Sequence, residues 1–126
     1  MNRNKLIELF ISNLSNVIIH SILERAIEQP EIVNVYQKEM KNSLDISKAY
    51  REKINTLNKT FPEKDIDYIK NKIKRKVQSE LLLRISKGYK NINLNLIDEK
   101  TNSILEELKI IWPISLKFPS LFFYPH

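Results

Sequence analysis

The stretch TFPEKDIDYIKNKIKRKVQSELLLRISKG, residues 60–88, decides the fold class because it carries one complete helix signature. The motif TFPE at its start is typical of a capping box with proline in the first turn. Gly88, the only glycine of the chain, follows the last periodic apolar residue, where a helix end favours the left-handed conformation. Between these ends, apolar residues recur every three or four positions: Ile66, Ile69, Ile73, Val77, Leu81 and Ile85.

Two further helices are predicted before this one. Apolar residues at helical spacing indicate a first helix from about Lys5 to Ile27, with an apolar surface wide enough for a central element or for one that meets a partner. Pro30 marks the start of a second helix, because proline suits the first turn. Asp45 or Ser47 could cap a fresh helix, so a break near residue 45 is also considered. The apolar stripe of this second helix comprises Val33, Tyr36, Met40, Leu44, Tyr50, Ile54 and Leu57.

The residues after Gly88 predict a connector and a fourth helix. In NINLNL, residues 91–96, apolar residues alternate with asparagines, which favours a short extended connector because no partner strand is apparent elsewhere. The fourth helix is expected from Asp98 to Ile111, and its apolar face comprises Ile97, Thr101, Ile104, Leu108 and Ile111. One glycine in 126 residues argues against β-rich folds and glycine-rich phosphate loops. We therefore predict a single all-α domain of about four helices at residues 1–111.

The last residues, 112–126, read WPISLKFPSLFFYPH and differ sharply in composition from the rest. Aromatic–proline pairs recur every six residues, and proline excludes a regular helix, so we predict an extended apolar arm. The arm either folds back over its own domain, docks on another subunit, or is a reading-frame scar. As an interface, its contact residues would be Trp112, Phe118, Phe122, Phe123 and Tyr124.

Catalytic and metal chemistry find little support in the sequence. Cysteine is absent, which excludes disulfides and thiolate metal sites, and the only histidines are His20 and His126. A metal site needs three or four converging ligands, so we expect no metal and no cofactor. No serine lies in a nucleophile-elbow context, and a non-enzymatic protein is expected. The enzymatic alternative is a small metal-independent ribonuclease that would use Arg84, Lys87 and Tyr89.

Membrane insertion and export are not expected. The apolar run at residues 9–23 lacks charges but holds six polar residues among fifteen, which is too short and too polar to span the hydrocarbon core. Glu8 interrupts the start, so we expect no signal peptide. These features favour an intracellular, cytoplasmic protein, and Arg3 and Lys5 leave a mitochondrial location open.

The charge surplus of the chain lies in one segment. Residues 70–90 hold eight Lys or Arg and one acid, a charge of +7, whereas the whole chain carries +6 and the remainder therefore −1. Helices that are merely soluble mix signs to form i,i+4 pairs, so this crowding favours an anionic partner. The predicted contacts are Lys72, Lys74, Arg75, Lys76, Arg84, Lys87 and Lys90.

Nucleic acid is the commonest anionic partner of a clustered basic face. Tyr68 and Tyr89 could stack on unpaired bases near the two ends of the basic helix. No zinc finger, RNP sequence, GXXG loop or helix-turn-helix glycine is present, so contact with the backbone without sequence specificity is expected. This pattern favours a small subunit of a larger assembly, in contact with other subunits or with itself.

An acidic protein is the alternative partner. The segment AYREKINTLNKTFPEKDIDYIKNKIKRKV, residues 49–77, partly resembles the LYR family of mitochondrial accessory proteins. Tyr50 and Arg51 match the last two motif positions and Phe61 a downstream aromatic, whereas Ala49 replaces the leucine of the motif. The basic helix of the family is matched by Lys72, Lys74 and Arg75. The resemblance implies a helical accessory subunit that binds an acidic acyl carrier protein.

Overall fold

Four α-helices form the structure, a computed structural model that describes residues 2–27, 29–55 and 60–110. The helices are α1 (Arg3–Glu24), α2 (Pro30–Ile54), α3 (Glu63–Ser86) and α4 (Leu96–Glu107), and no strand occurs in these three ranges. The prediction of an all-α fold with about four helices is confirmed. The predicted arm, with Trp112, Phe118, Phe122, Phe123 and Tyr124, lies outside the described residues.

The first helix is the centre of the fold. It packs against α2, α3 and α4, and the α2 backbone lies closest to α1. Its apolar stripe is buried from Ile7 to Leu23, so the wide apolar surface serves the core. By length and composition α1 could cross a membrane, contrary to the expectation from residues 9–23 alone, but more than half of its apolar window is buried inside the fold.

Side-chain pairs fix the directions of the helices. Arg3 pairs with Asp65 near the start of both α1 and α3, and Lys76 lies 3.4 Å from Ser12 further along. Because the residue numbers rise together, α1 and α3 run in parallel. α2 runs antiparallel to α1, with Gln37 donating to the Glu24 carboxylate at 2.8 Å just beyond the turn.

The third helix begins without the predicted capping box. Pro62 is the N-cap, no side chain caps the first turn, and the prediction from TFPE is wrong in this respect. The chain is held instead by the backbone, because the Phe61 N–H donates to the Ile110 carbonyl at 3.0 Å. Phe61 itself is buried in the core, which ties the entry of α3 to the end of α4.

The third helix ends at Ser86, and Gly88 supplies the left-handed conformation just beyond its end, as predicted. Gly88 has φ 98°, the Tyr89 N–H donates to the Arg84 carbonyl at 3.1 Å, and the Gly88 N–H donates to the Ile85 carbonyl at 3.0 Å. These two bonds form a Schellman motif, which needs a left-handed residue at the Gly88 position. The Arg84 guanidinium lies 5.5 Å from the Tyr89 ring centroid and packs over the same turn.

The second helix is continuous from Pro30 to Ile54, and the break considered near residue 45 does not occur. Ser47 is buried, and its hydroxyl donates to the Ser43 carbonyl at 2.8 Å within the helix. A serine bonded to the carbonyl four residues earlier is compatible with an uninterrupted helix, so it does not start a new one.

The fourth helix starts at Leu96 and ends at Glu107, earlier at both ends than predicted. The connector before it contains no strand, as predicted, and half-buries Ile92 and Leu94 against the core. Lys109 has φ 59° beyond the helix end, a conformation that glycine or asparagine usually supplies.

Buried Arg51 of α2 holds this unusual helix end. Its guanidinium donates to the carbonyls of Leu108 at 2.9 Å and Lys109 at 3.2 Å, and also to that of Asn55 at 2.6 Å. It lies 5.2 Å from the Phe61 ring centroid. Carbonyls at a helix C-terminus carry partial negative charge, so a buried cation there is stabilising.

Candidate polyanion-binding groove

The basic residues of α3 do not share one face. Lys72 lies 3.6 Å from Glu8 of α1, whereas Lys74 lies 3.1 Å from Asp98 of α4, on the other side of α3. Arg84 pairs with Glu80 of its own helix at 3.0 Å. Three of the seven predicted anion contacts are therefore bridged to carboxylates, and the charge surplus of the sequence is partly neutralised within the fold.

The other four predicted contacts form no salt bridge within residues 2–27, 29–55 and 60–110. Arg75 and Lys76 are exposed in the middle of α3. Lys87 is the C-cap of α3 and Lys90 lies in the connector, and both are exposed. A cation at a helix C-terminus is favoured by the helix dipole, so Lys87 has a structural role as well as a free charge.

A groove of about 640 Å³ lies between α1 and α3, where the unbridged cations of α3 meet polar residues of α1. Its lining includes the cations Arg75, Lys76 and Arg84 and the hydroxyls of Ser12, Ser15 and Ser79. Glu80 is the only acid in the lining, and its carboxylate is bonded to Arg84. The groove thus combines an excess of positive charge with hydrogen-bond donors, which is the chemistry that a phosphate or carboxylate ligand requires.

Arg84 anchors one end of this groove. Burial acts to lower its pKa, but hydrogen bonds and charge interactions with Glu80 and Tyr36 outweigh burial and raise the pKa above its ordinary value. Arg84 also contacts Tyr89, its partner in the predicted ribonuclease set, whereas Lys87 is exposed. The contact with Tyr89 belongs to the cap of α3, so it has a structural explanation that does not involve catalysis.

His20 lies beside Arg84 at the same end. Its ring stacks on Tyr36 with centroids 5.0 Å apart, and its Nδ1 is 3.7 Å from a Glu39 carboxylate oxygen. Burial lowers the pKa of His20, the charge of Glu39 acts to raise it, and that of Arg84 lowers it further. No group of three metal-ligating side chains occurs in the part of the chain that the structure describes, so His20 is not part of a recognisable metal centre there.

His20 is expected to reduce stability in acid. Its pKa in the folded protein is below the ordinary value of 6.5, so the unfolded chain binds a proton that the folded protein does not. The free energy of unfolding should therefore fall as the pH drops from about 6.5 through the pKa of His20 in the folded protein. Above that window, the contribution of His20 to stability is fully present. Urea unfolding of wild type and His20→Gln across the window measures it. Parallel stability–pH curves for the two proteins would contradict the expectation.

Tyr68, predicted to stack on bases, is held at the opposite end of α3. Its hydroxyl donates to Glu8, and Lys72 lies 5.6 Å from its ring centroid. The hydrogen bond from Tyr68 lowers the pKa of Glu8, burial opposes that shift, and the charge of Lys72 adds to it. Tyr68, Glu8 and Lys72 are therefore joined to one another, which leaves the unbridged cations further along α3.

The polar residues of α1 were not identified as a site from the sequence. Ser12, Asn16 and His20 recur every four residues, with Ser15 three residues after Ser12, and form a polar stripe on an otherwise apolar helix. This spacing is the sequence signal that could have identified the stripe. It indicates a site only because α3 lies alongside α1, and the sequence of α1 alone does not predict that arrangement.

In the LYR-like segment, burial limits which of the motif residues a partner could contact. Tyr50 is half-buried and Arg51 is buried, and Arg51 donates to carbonyls at the ends of α2 and α4. The arginine that matches the motif is therefore engaged inside the fold.

No protein-family model matches the chain, and no curated protein or solved structure matches it significantly. The functional argument for this protein accordingly depends on the charge and geometry of the groove between α1 and α3.

Proposed function

We propose that this protein is a non-enzymatic binding module that contacts the backbone of nucleic acid through the groove between α1 and α3. The observation that supports this most strongly is the position of Arg75 and Lys76. Both are exposed, neither forms a salt bridge among the described residues, and both line a groove with several hydroxyl groups. Phosphate oxygens accept hydrogen bonds from all of these groups.

Binding of this kind gains its free energy from the release of counterions condensed on the nucleic acid. It depends steeply on salt and little on sequence, because phosphates are the same at every base. Arg75 and Lys76 would be the central contacts, and exposed Lys87 and Lys90 would extend them along the strand. Lys72, Lys74 and Arg84 would contribute less, because their charges are already paired.

A role inside a larger assembly is supported by apolar side chains on the surface. Leu82 and Ile85 are exposed on the second half of α3, Tyr89 is exposed just beyond its end, and Ile32 and Val35 are exposed near the start of α2. Clustered exposed apolar side chains usually mark a protein interface. Other subunits, or a second copy of this chain, would cover these side chains. The predicted arm, residues 112–126, would add contacts to the same interface.

An acidic protein is the competing partner, as the LYR resemblance implies. It would use the same unbridged cations as a nucleic acid. The burial of Arg51 gives this alternative less support, because the matching arginine is not exposed to a partner. The acidic partner is therefore treated as one outcome of the binding experiment.

The test compares two double variants that lose the same charge from the same helix. Arg75→Gln with Lys76→Gln removes unbridged cations, and Lys72→Gln with Lys74→Gln removes bridged ones. Binding of short RNA and DNA is measured by fluorescence anisotropy across a salt series. The first variant should lose about 10- to 100-fold in affinity and reduce the salt slope by about 2, whereas the second should change little.

Equal losses of affinity in the two variants would contradict the groove as the contact surface. The losses would then be explained by the lower net charge alone. If wild type binds neither RNA nor DNA, nucleic acid is rejected as the partner. Binding of an acidic protein that is lost in the first variant alone would then identify the competing function.

A further inference from the structure

We infer that the groove between α1 and α3 is a subsite for one phosphodiester of a single strand, with the Ser15 hydroxyl as a donor to a phosphate oxygen. The inference rests on the proposed function and narrows it, because it distinguishes single strands from duplexes. It depends on an observation that the charge argument does not use, namely an unsatisfied hydroxyl beneath the groove.

Ser15 is only 3% exposed, and its hydroxyl has no hydrogen-bond partner. Three buried side-chain atoms among the described residues share this condition, and Ser15 belongs to the lining of this groove. Buried polar groups without partners are rare and destabilising in native proteins. An unsatisfied hydroxyl in a concave, positively charged site indicates a ligand that supplies the missing hydrogen bond.

A phosphate oxygen would satisfy the Ser15 hydroxyl, because it accepts from the serine O–H. His20 Nδ1 has a different neighbour, since it lies 3.7 Å from the Glu39 carboxylate of α2. The neighbouring cations Arg75 and Lys76 neutralise the negative charge of the same phosphate. The lining therefore offers positive charge at the exposed positions and a neutral donor, Ser15, at the buried one.

The depth of this donor favours a single strand. Arg75 and Lys76 are exposed and lie within reach of any nucleic-acid backbone, whereas Ser15 is buried between two parallel helices. A duplex is stiff over a length far greater than this domain and cannot turn one phosphate into a narrow groove. A single strand rotates freely about its backbone bonds and can do so.

The groove also offers a surface for an unpaired base. Leu83 is 47% exposed and forms part of the lining, opposite Ile19 of α1. The volume of about 640 Å³ suits one nucleotide and lies within the usual range for small-ligand sites. Apolar contact with a base is tolerant of sequence, in agreement with binding that reads no particular base.

The experiment uses Ser15→Ala in the full chain, with Ser21→Ala as the matched control. Ser21 is on the same helix but lies in the small cleft between α1 and α4. Fluorescently labelled single-stranded DNA of about 12 nucleotides and the corresponding duplex are the probes. Wild type is expected to prefer the single strand, and Ser15→Ala to lose about tenfold in affinity for it, as for one hydrogen bond to a charged acceptor.

Affinity for the duplex and the salt slope should not change in Ser15→Ala, because no charge is removed. The variant should be at least as stable as wild type, since an unsatisfied hydroxyl is replaced by a better helix former. Lost binding could then not be attributed to unfolding. Ser21→Ala should bind both probes as wild type does.

Two results would overturn the inference while the proposed function stands. One is equal affinity of wild type for the single strand and the duplex, and the other is equal single-strand affinity in the Ser15 and Ser21 variants. Absence of binding to both probes would overturn the proposed function and, with it, this inference.

Discussion

Replacing Arg51 with methionine is expected to lower the free energy of unfolding by about 3 kcal/mol. Arg51 is 3% exposed, and its guanidinium donates to carbonyls of Leu108, Lys109 and Asn55. Methionine keeps much of the apolar stem but supplies no donor. The buried carbonyl of Leu108 and the partly buried carbonyls of Asn55 and Lys109 would then lose these hydrogen bonds, and the loss is costly where water cannot replace the donor fully.

Urea unfolding followed by circular dichroism measures this effect. Lys48→Met on the exposed face of α2 removes the same charge and should change stability by less than about 0.5 kcal/mol. Arg51→Lys should be intermediate, because lysine keeps the charge but has no planar fork of donors. An Arg51→Met protein as stable as the Lys48 control would show that the left-handed turn at Lys109 does not depend on Arg51.

The helices could be predicted because their signals are local. The apolar period of α3, the proline at the start of α2 and the glycine after α3 each act within a few residues of chain. The end of α4 could not be placed in the same way. Its left-handed residue is Lys109. The Lys109 carbonyl accepts a hydrogen bond from Arg51, which lies 58 positions earlier in the sequence.

The errors at the helix starts have a related cause. The motif TFPE has the residues of a capping box, but Phe61 is drawn into the core and its N–H bonds to Ile110. Ser47 has the chemistry of an N-cap, but burial against α1 turns its hydroxyl to Ser43. In both places tertiary packing determined which of two locally allowed hydrogen bonds forms.

The candidate site was predicted only in part. Charge counting identified α3, but it could not show that Lys72 and Lys74 point to different neighbours and meet Glu8 and Asp98. The charge pattern of one helix does not show which carboxylates of other helices lie beside it. Of the four predicted cations without a salt bridge among the described residues, Arg75 and Lys76 lie beside the polar stripe of α1.

Replacing Ile73 with alanine is expected to destabilise the fold by about 3 kcal/mol. Ile73 is fully buried, in the part of α3 that packs within the common core of the four helices. Alanine removes three carbon atoms and leaves a cavity that the neighbouring side chains can fill only partly, so lost transfer free energy and lost packing add together. The helix itself should persist, because alanine favours helix more than isoleucine does.

Leu82→Ala provides the comparison on the same helix. Leu82 is 46% exposed, so its truncation should change the free energy of unfolding by less than about 0.5 kcal/mol. Thermal and urea unfolding of the two variants therefore separate the buried stripe of α3 from the apolar residues on its surface. A loss at Leu82 as large as that at Ile73, in a protein shown to be monomeric by light scattering, would mean that another part of the chain covers Leu82. If the loss instead disappears on dilution, a second copy covers Leu82, which is one of the two forms of the proposed assembly.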